Sequence, residues 1–198
     1  MKRKLLLILF SFAIFISGCS VYKTLVNLSY IKFKIGNVSN FSVLGIDISD
    51  KSGLKDLDFV QVAKLTSATA LNKLPVSFTI NIVAKNTSKN AYETTDIQIT
   101  DFPFTLILND KEILDGDIRN PIVIPGKKKE TVFPVEIKFD ILHVFDDLSL
   151  DDIAQLVFEL GGKNQNLSTL KIKAEPKLLL PGGLEYQQKV TITSDAFH

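Results

Sequence analysis

The chain has 198 residues, with 23 basic against 22 acidic side chains, a formal charge of +1 and 45% hydrophobic residues. That balance excludes a disordered, charge-rich chain and fits one globular domain, or one domain with an appendage. It gives no electrostatic reason to expect a nucleic-acid partner, which calls for a strong basic excess.

Met1-Lys2-Arg3-Lys4 is a positively charged start, and Leu5 to Ile16 is an apolar run interrupted only by Ser11. The run is shorter than the roughly 20 residues that span a bilayer and suits the core of a secretory signal peptide. It ends in Ile16-Ser17-Gly18-Cys19, and Cys19 is the single cysteine of the chain. Small residues directly before a cysteine resemble the bacterial lipobox. There the peptide is cut before the cysteine, whose thiol carries diacylglycerol and whose new amino group is acylated. Residues 1–18 are therefore expected to be a lipoprotein signal peptide, Cys19 the lipidation site and 19–27 a tether. A lone thiol in an exported chain needs an explanation, and lipidation supplies one. The competing readings are an ordinary signal peptide with a chance cysteine, or an N-terminal membrane anchor. Several acyl chains, at about 0.8 kcal/mol per buried methylene, hold a protein stably on a membrane. Cleavage would remove Lys2, Arg3 and Lys4 and leave acidic side chains in slight excess. Ser20 stands where an aspartate resembles an inner-membrane retention signal, so an outer-membrane location is expected if the host is Gram-negative.

Residues 28–75 read as a β-hairpin and helix that lead into the main domain. Tyr30 to Asn37 and Phe41 to Ser49 alternate apolar and polar residues, with Gly36-Asn37 and Ser39-Asn40 as turn signals between them. Asp50 to Leu74 changes period: Leu57, Val60, Ala63, Ser67, Ala70, Leu71 and Leu74 recur at three and four, which predicts a helix starting near Ser52 to Asp56 and stopped by Pro75. Val76 to Asn86 is the clearest strand, with Val76, Phe78, Ile80, Ile82 and Ala84 on one face and a polar turn, NTSKN, after it. Strands are expected at Thr94 to Thr100, Phe104 to Leu108 and Glu112 to Ile118, the last two joined by a turn at Asn109-Asp110-Lys111. Asn120 to Gly126 carries two prolines and reads as an edge or a connection. Thr131 to Asp140 alternates, with Phe133, Val135, Ile137 and Phe139 on one face; Pro134 opposite them marks an edge or bulge. Leu148 to Leu160 is a helix with Ser149 as N-cap, Asp152 completing a capping box, Leu148 and Ile153 as a staple, and Gly161-Gly162 at its end. Leu167 to Ala174 and Leu184 to Ile192 close the chain as strands around a Pro181-Gly182-Gly183 turn.

The pieces INIVAKNTSKNAYE, LILNDKEILDGDI, IPGKKKETVFPVEIKF and EPKLLLPGGLEYQQKVTI, in this order, resemble the late embryogenesis abundant type 2 family, also called the water stress and hypersensitive response domain. Thr87 stands where that family usually has proline after its turn asparagine. The resemblance covers 76–193. It implies a mainly β, immunoglobulin- or fibronectin III-like antiparallel β-sandwich with one or two short helices. The strand pattern points to the same class independently. The resemblance also implies a link to desiccation-type stress.

No catalytic constellation is visible. His143 has no evident partner and reads as a helix-start or strand-edge residue, and His198 is the last residue of the sequence. Asp146, Asp147, Asp151 and Asp152 invite a calcium site, but their spacing is not that of an EF-hand loop and helix capping explains two of them. Asp115-Gly116-Asp117 makes the same weak suggestion and reads more simply as a strand-end turn. Lys127-Lys128-Lys129 suits anionic headgroups or, more simply, a solvated loop beside an edge strand. The expectation is a non-enzymatic, lipid-anchored envelope protein without metal or cofactor. It would be stress-protective or structural, or alternatively a module that captures an envelope protein or an apolar ligand between its sheets.

Overall fold

The computed structural model describes residues 31–87, 96–126, 130–179 and 185–198. The signal peptide, Ile16, Ser17, Gly18, Cys19, the tether, most of the NTSKN turn, Lys127 to Lys129 and the Pro181-Gly182-Gly183 turn lie outside them.

The fold is mainly β: two antiparallel sheets face each other across one core, with short helices at one end. The elements are β1 (Ile31–Val43), β2 (Ile46–Asp47), α1 (Phe59–Ala70), β3 (Pro75–Asn86), β4 (Ile97–Leu108), β5 (Lys111–Ile118) and β6 (Ile122–Ile124). Then follow β7 (Glu130–Asp140), α2 (Ile141–Val144), α3 (Leu150–Gly161), β8 (Leu170–Ala174), β9 (Lys177–Leu179), β10 (Glu185–Gln187) and β11 (Val190–Ile192). The first sheet runs β2-β1-β3-β7. The second is centred on β4, with β5 and β6 along one side, β8 and β9 along the other, and β11 and β10 beyond those.

Strand β3 is the middle of the first sheet because its alternation is unbroken. Val76, Phe78, Ile80, Ile82 and Ala84 are all buried, as predicted. Register follows from that face: Ile80 sits opposite Val38 on β1 and Val135 on β7, and Ile82 opposite Ile35 and Phe133. Phe133 meets Phe102 of the facing sheet edge-on at 5.2 Å. Strand β7 is an edge, and Pro134 lies on its exposed face, where its missing N–H is tolerated.

The hairpin predicted between Tyr30 and Ser49 is present as β1 and β2, but its turn is not at Gly36 to Asn40. Strand β1 runs unbroken through Gly36-Asn37 and Ser39-Asn40, and these residues make two bulges, between Ile35 and Asn37 and between Ser39 and Ser42. The physical reason is parity. Ile31, Phe33 and Ile35 are odd, Val38 is even, and Phe41 and Val43 are odd again, yet all are buried. Each bulge inserts the residue that returns the next apolar side chain to the core. The reversal comes later, at Leu44 and Gly45, both with positive φ. Strand β4 repeats the device. It does not break between Thr100 and Phe104 as predicted; a register shift between Ile99 and Asp101 lets Ile99 and Phe102 share the core. The β4–β5 turn is as predicted, with Asn109 and Asp110 both at positive φ, as a two-residue type I′ loop requires.

Helix α3 follows its sequence signals. Ser149 Oγ accepts from the Asp152 N–H, and the Asp152 carboxylate accepts from the Ser149 N–H. Ile153, Leu156, Val157 and Leu160 are buried. Its terminal glycines are required for space and not for a left-handed conformation: Gly162 has φ −77°. A Cβ at Gly161 would stand 2.1 Å from Cγ of Phe41, whose ring stacks on Phe78 at 4.9 Å.

Two elements depart from expectation. The four-residue helix α2 was not foreseen; Asp140 caps it, accepting from the Leu142 N–H at 3.2 Å and from the Leu74 N–H at 3.1 Å. The other concerns the carboxy-terminal residues beyond 193. They pair with the open edge of β1: Phe33 and His198 exchange two 2.9 Å backbone hydrogen bonds, and the Ile35 N–H donates to the Thr193 carbonyl at 2.8 Å.

Candidate functional site: an apolar cleft at the helical end

Helix α1 begins later than predicted. Its N-cap is Asp58, whose carboxylate accepts from the Gln61 N–H at 2.8 Å while the Gln61 side chain accepts from the Asp58 N–H at 3.1 Å. Residues Leu54–Asp56 form a separate 3-10 turn. The helix ends at Ala70, with Asn72 in the left-handed region, so Pro75 opens β3 and does not stop α1.

Its orientation also differs. Of the predicted stripe, Val60, Ala63, Ser67, Ala70 and Leu71 face solvent, while Leu57 and Leu74, which flank the helix, pack on or in the core. Gln61, Leu65, Ala68 and Thr69 face the sandwich instead, and no residue of the helix is fully buried. Sequence periodicity found a helix and missed its face because both sides of α1 carry apolar residues. Leu65, in the middle of the helix, and Leu57, just before it, pack on the core, and Lys64 Nζ donates to the Leu44 carbonyl at 2.7 Å, which holds this rotation.

Between α1, α3 and the ends of the first sheet lies an apolar cleft of about 210 Å³. Val43, Ile46, Ile48 and Leu74 form its floor, Leu57, Val62 and Leu65 one wall, and Ile153, Ala154, Val157 and Phe158 the other. Leu54 and Leu150 stand at its rim, about half exposed. Among the described residues, the exposed large hydrophobic side chains concentrate here: Leu54, Phe59, Val60, Val62, Leu71 and Leu150 gather around this end, against Val123, Val132 and Leu179 elsewhere. Large exposed apolar groups that cluster mark interaction sites, whereas scattered ones need no explanation.

Both hydroxyls in the cleft are committed, and the one charged side chain on its lining, Asp151, is exposed. Thr66 Oγ1 donates to the Val62 carbonyl at 3.0 Å and Thr69 Oγ1 to the Thr66 carbonyl at 2.9 Å. These back-bonds leave an aliphatic wall. The space between the two sheets, where an apolar ligand was expected, is filled by side chains: Phe33, Phe102, Ile80, Ile82, Leu106 and Ile124 are fully buried there. No single motif announces the cleft in the sequence.

The residues considered for chemistry are dispersed. His143 is exposed in the last turn of α2. Asp146 and Asp147 lie 3.8 and 3.6 Å from Lys111 Nζ, while Asp151 is exposed and Asp152 caps α3. Asp115 accepts from Thr105 Oγ1 at 2.6 Å and Asp117 from Arg119 at 2.9 Å. Among the described residues no three histidine, cysteine, aspartate or glutamate side chains are grouped to hold a metal ion.

Charge is concentrated on the outer face of the second sheet. Lys171 pairs with Asp110 at 2.7 Å, Lys173 with Glu112 at 2.9 Å and Lys177 with Asp101 at 2.7 Å. The Lys177 ammonium, hydrogen-bonded to it, holds the Asp101 carboxyl below its ordinary value. Lys171 does the same for Asp110, and Lys85 for Glu130 on the edge of the first sheet.

No protein-family model matches the chain, and no curated protein matches it. Among solved structures it is similar to a protein from Archaeoglobus fulgidus, with 11% identity over 61% of this chain and 87% of that one and a TM-score of 0.32.

Proposed function

We propose that the protein is a non-enzymatic, lipid-anchored module of the cell envelope that holds an apolar ligand in the cleft between α1 and α3. The observation that carries this reading is a cleft lined by aliphatic side chains, two committed hydroxyls and, among charged groups, Asp151 alone, with the exposed Leu54, Val62 and Leu150 on its lining. Apolar pockets of comparable size, about 150 Å³, stay dry and take up hydrocarbon. In this reading Cys19, processed at Ile16-Ser17-Gly18, fixes the chain to a membrane, the outer one in a Gram-negative host. The described residues open at Ile31, and β1 then runs 13 residues to Val43 at the cleft floor. At about 3.3 Å per residue, the cleft floor lies roughly 40 Å along the strand from Ile31, the described residue nearest Cys19 in sequence. A ligand would thus be held away from the anchor point, accessible to an envelope protein partner.

A titration tests the binding reading. The purified full chain is mixed with an uncharged, environment-sensitive aromatic fluorophore. Saturable enhancement that an Ala154→Trp variant lacks is the expected result; equal enhancement by both proteins overturns the reading.

The ion-paired outer face of the second sheet favours a second reading, stress protection by surface contact, in keeping with the late embryogenesis abundant type 2 resemblance. Here the protein would preserve a client enzyme through drying better than an equal mass of inert protein, and equal preservation would remove the idea.

A further inference from the structure

The cleft does not end in solvent on every side. A second recess of about 390 Å³ adjoins it and shares Leu54, Asp151, Ala154 and Phe158 with it. The two differ sharply in chemistry. The recess is lined further by Ser52, Gln155, Glu159 and Asn164, all capable of hydrogen bonding. It contains two carboxylates, Asp151 and Glu159, and no lysine or arginine. Gln155 Nε2 donates to Glu159 Oε1 at 2.8 Å, which fixes the amide beside the acid one turn away on α3.

Helix α3 is the reason the two sit together. Its amphipathic spacing turns Ile153 and Val157 toward the sandwich and Gln155 and Glu159 toward water. Ala154 and Phe158, at the boundary, line both spaces. The connection after β2 borders the same boundary with Ser52 and Leu54, held in place by the Lys163 N–H donating to the Lys51 carbonyl at 2.8 Å.

We infer that the joined cleft and recess form one amphiphile site, which takes a single hydrocarbon chain in the cleft and an uncharged or cationic head group in the recess. This rests on the cleft being a binding site. The chain follows from the lining, which is aliphatic apart from two committed threonine hydroxyls and Asp151, a residue shared with the recess. A single chain follows from size: the cleft is below the roughly 300 Å³ at which pockets for larger organic ligands begin. The head group follows from the recess. Side-chain amides and a hydroxyl satisfy an alcohol or an amide, and two carboxylates attract an ammonium. An anionic head would face like charge without a basic residue to receive it, and such juxtaposition is strongly unfavourable.

Photolabelling of the full chain in membranes tests this. Three monoacyl probes carry the same dodecyl-length chain with a diazirine at its far end, and differ only in a glycerol, quaternary ammonium or carboxylate head. The expected result is labelling of peptides from 54–69 and 150–158 by the glycerol and ammonium probes, about ten-fold above the carboxylate probe. An Asp151→Asn, Glu159→Gln double variant should raise labelling by the carboxylate probe toward that of the others. Ala154→Trp, which obstructs the cleft itself, should suppress all three. Equal labelling of these peptides by all three heads in the wild type overturns the amphiphile assignment and leaves the apolar cleft intact. Labelling that avoids both peptides for every probe overturns the cleft as well.

Discussion

Gly161→Ala probes how the helical end is fixed to the sandwich. The added Cβ would stand 2.1, 2.4 and 2.6 Å from Cγ, Cδ2 and Cβ of Phe41. Carbon atoms settle near 3.5–4.0 Å, so the overlap is about an ångström or more with each. One of the three is Phe41 Cβ, attached directly to the β1 backbone, so ring rotation alone cannot relieve it. The ring is further confined by Phe78, stacked parallel at 4.9 Å. Overpacking of this kind costs about 1–3 kcal/mol. Alanine returns roughly 0.5–1 kcal/mol through its better helix propensity. Because an atom fixed to the backbone is among those overlapped, the cost falls in the upper part of that range, and a net loss of about 1–2.5 kcal/mol follows, which for a domain of this size lowers the melting temperature by roughly 2–10 °C. Urea and thermal unfolding measure it. In a Phe41→Leu background the penalty should shrink, because the smaller side chain yields, giving a coupling of at least about 1 kcal/mol in the double-mutant cycle. A Gly161→Ala protein as stable as wild type, with no coupling to position 41, would refute the packing argument.

Three further outcomes follow from the same reasoning. Asp58→Ala removes the side-chain half of the α1 capping box, the bond accepted from the Gln61 N–H, and should cost about 1 kcal/mol. Because α1 buries no residue, hydrogen exchange should quicken in 59–70 well before it does in β3. Asp101 is held below its ordinary carboxylate value of 3.8, so its contribution is present above that value and is lost as pH falls through the lower, folded-state one. Asp101→Asn should therefore flatten the acid limb of the stability–pH profile, and an unchanged limb would mean the Lys177 pair is not felt. Cys19→Ser should abolish incorporation of labelled fatty acid; persistent incorporation would contradict the lipobox reading.

The parts of the fold written in a single unbroken period were legible in the sequence. Strand β3 keeps one parity from Val76 to Ala84, and α3 carries its cap, staple and stripe together. Strand β1 was misread because its parity changes at Gly36-Asn37 and Ser39-Asn40. Those residues suit a turn and a bulge equally, and only pairing with β3 decides between them. Helix α1 was found and turned the wrong way, because apolar groups occur around most of its circumference and a tertiary contact, Leu65 on the core, selects the face. The cleft was not legible at all: Val43, Leu65 and Val157 are far apart in the chain, and each alone reads as an ordinary core residue. Lysine-rich 127–129 and the lipobox are sequence features outside the described residues.

The most direct test of a ligand-holding cleft is to look for the ligand. The full chain, purified from its native membranes with its covalent lipids retained, would be extracted with organic solvent and the extract weighed by mass spectrometry against one from Ala154→Trp. The account predicts a monoacyl amphiphile with a neutral or cationic head, near one per chain in the wild type and strongly depleted in the variant. Equal amounts of the same molecules from both proteins would contradict it.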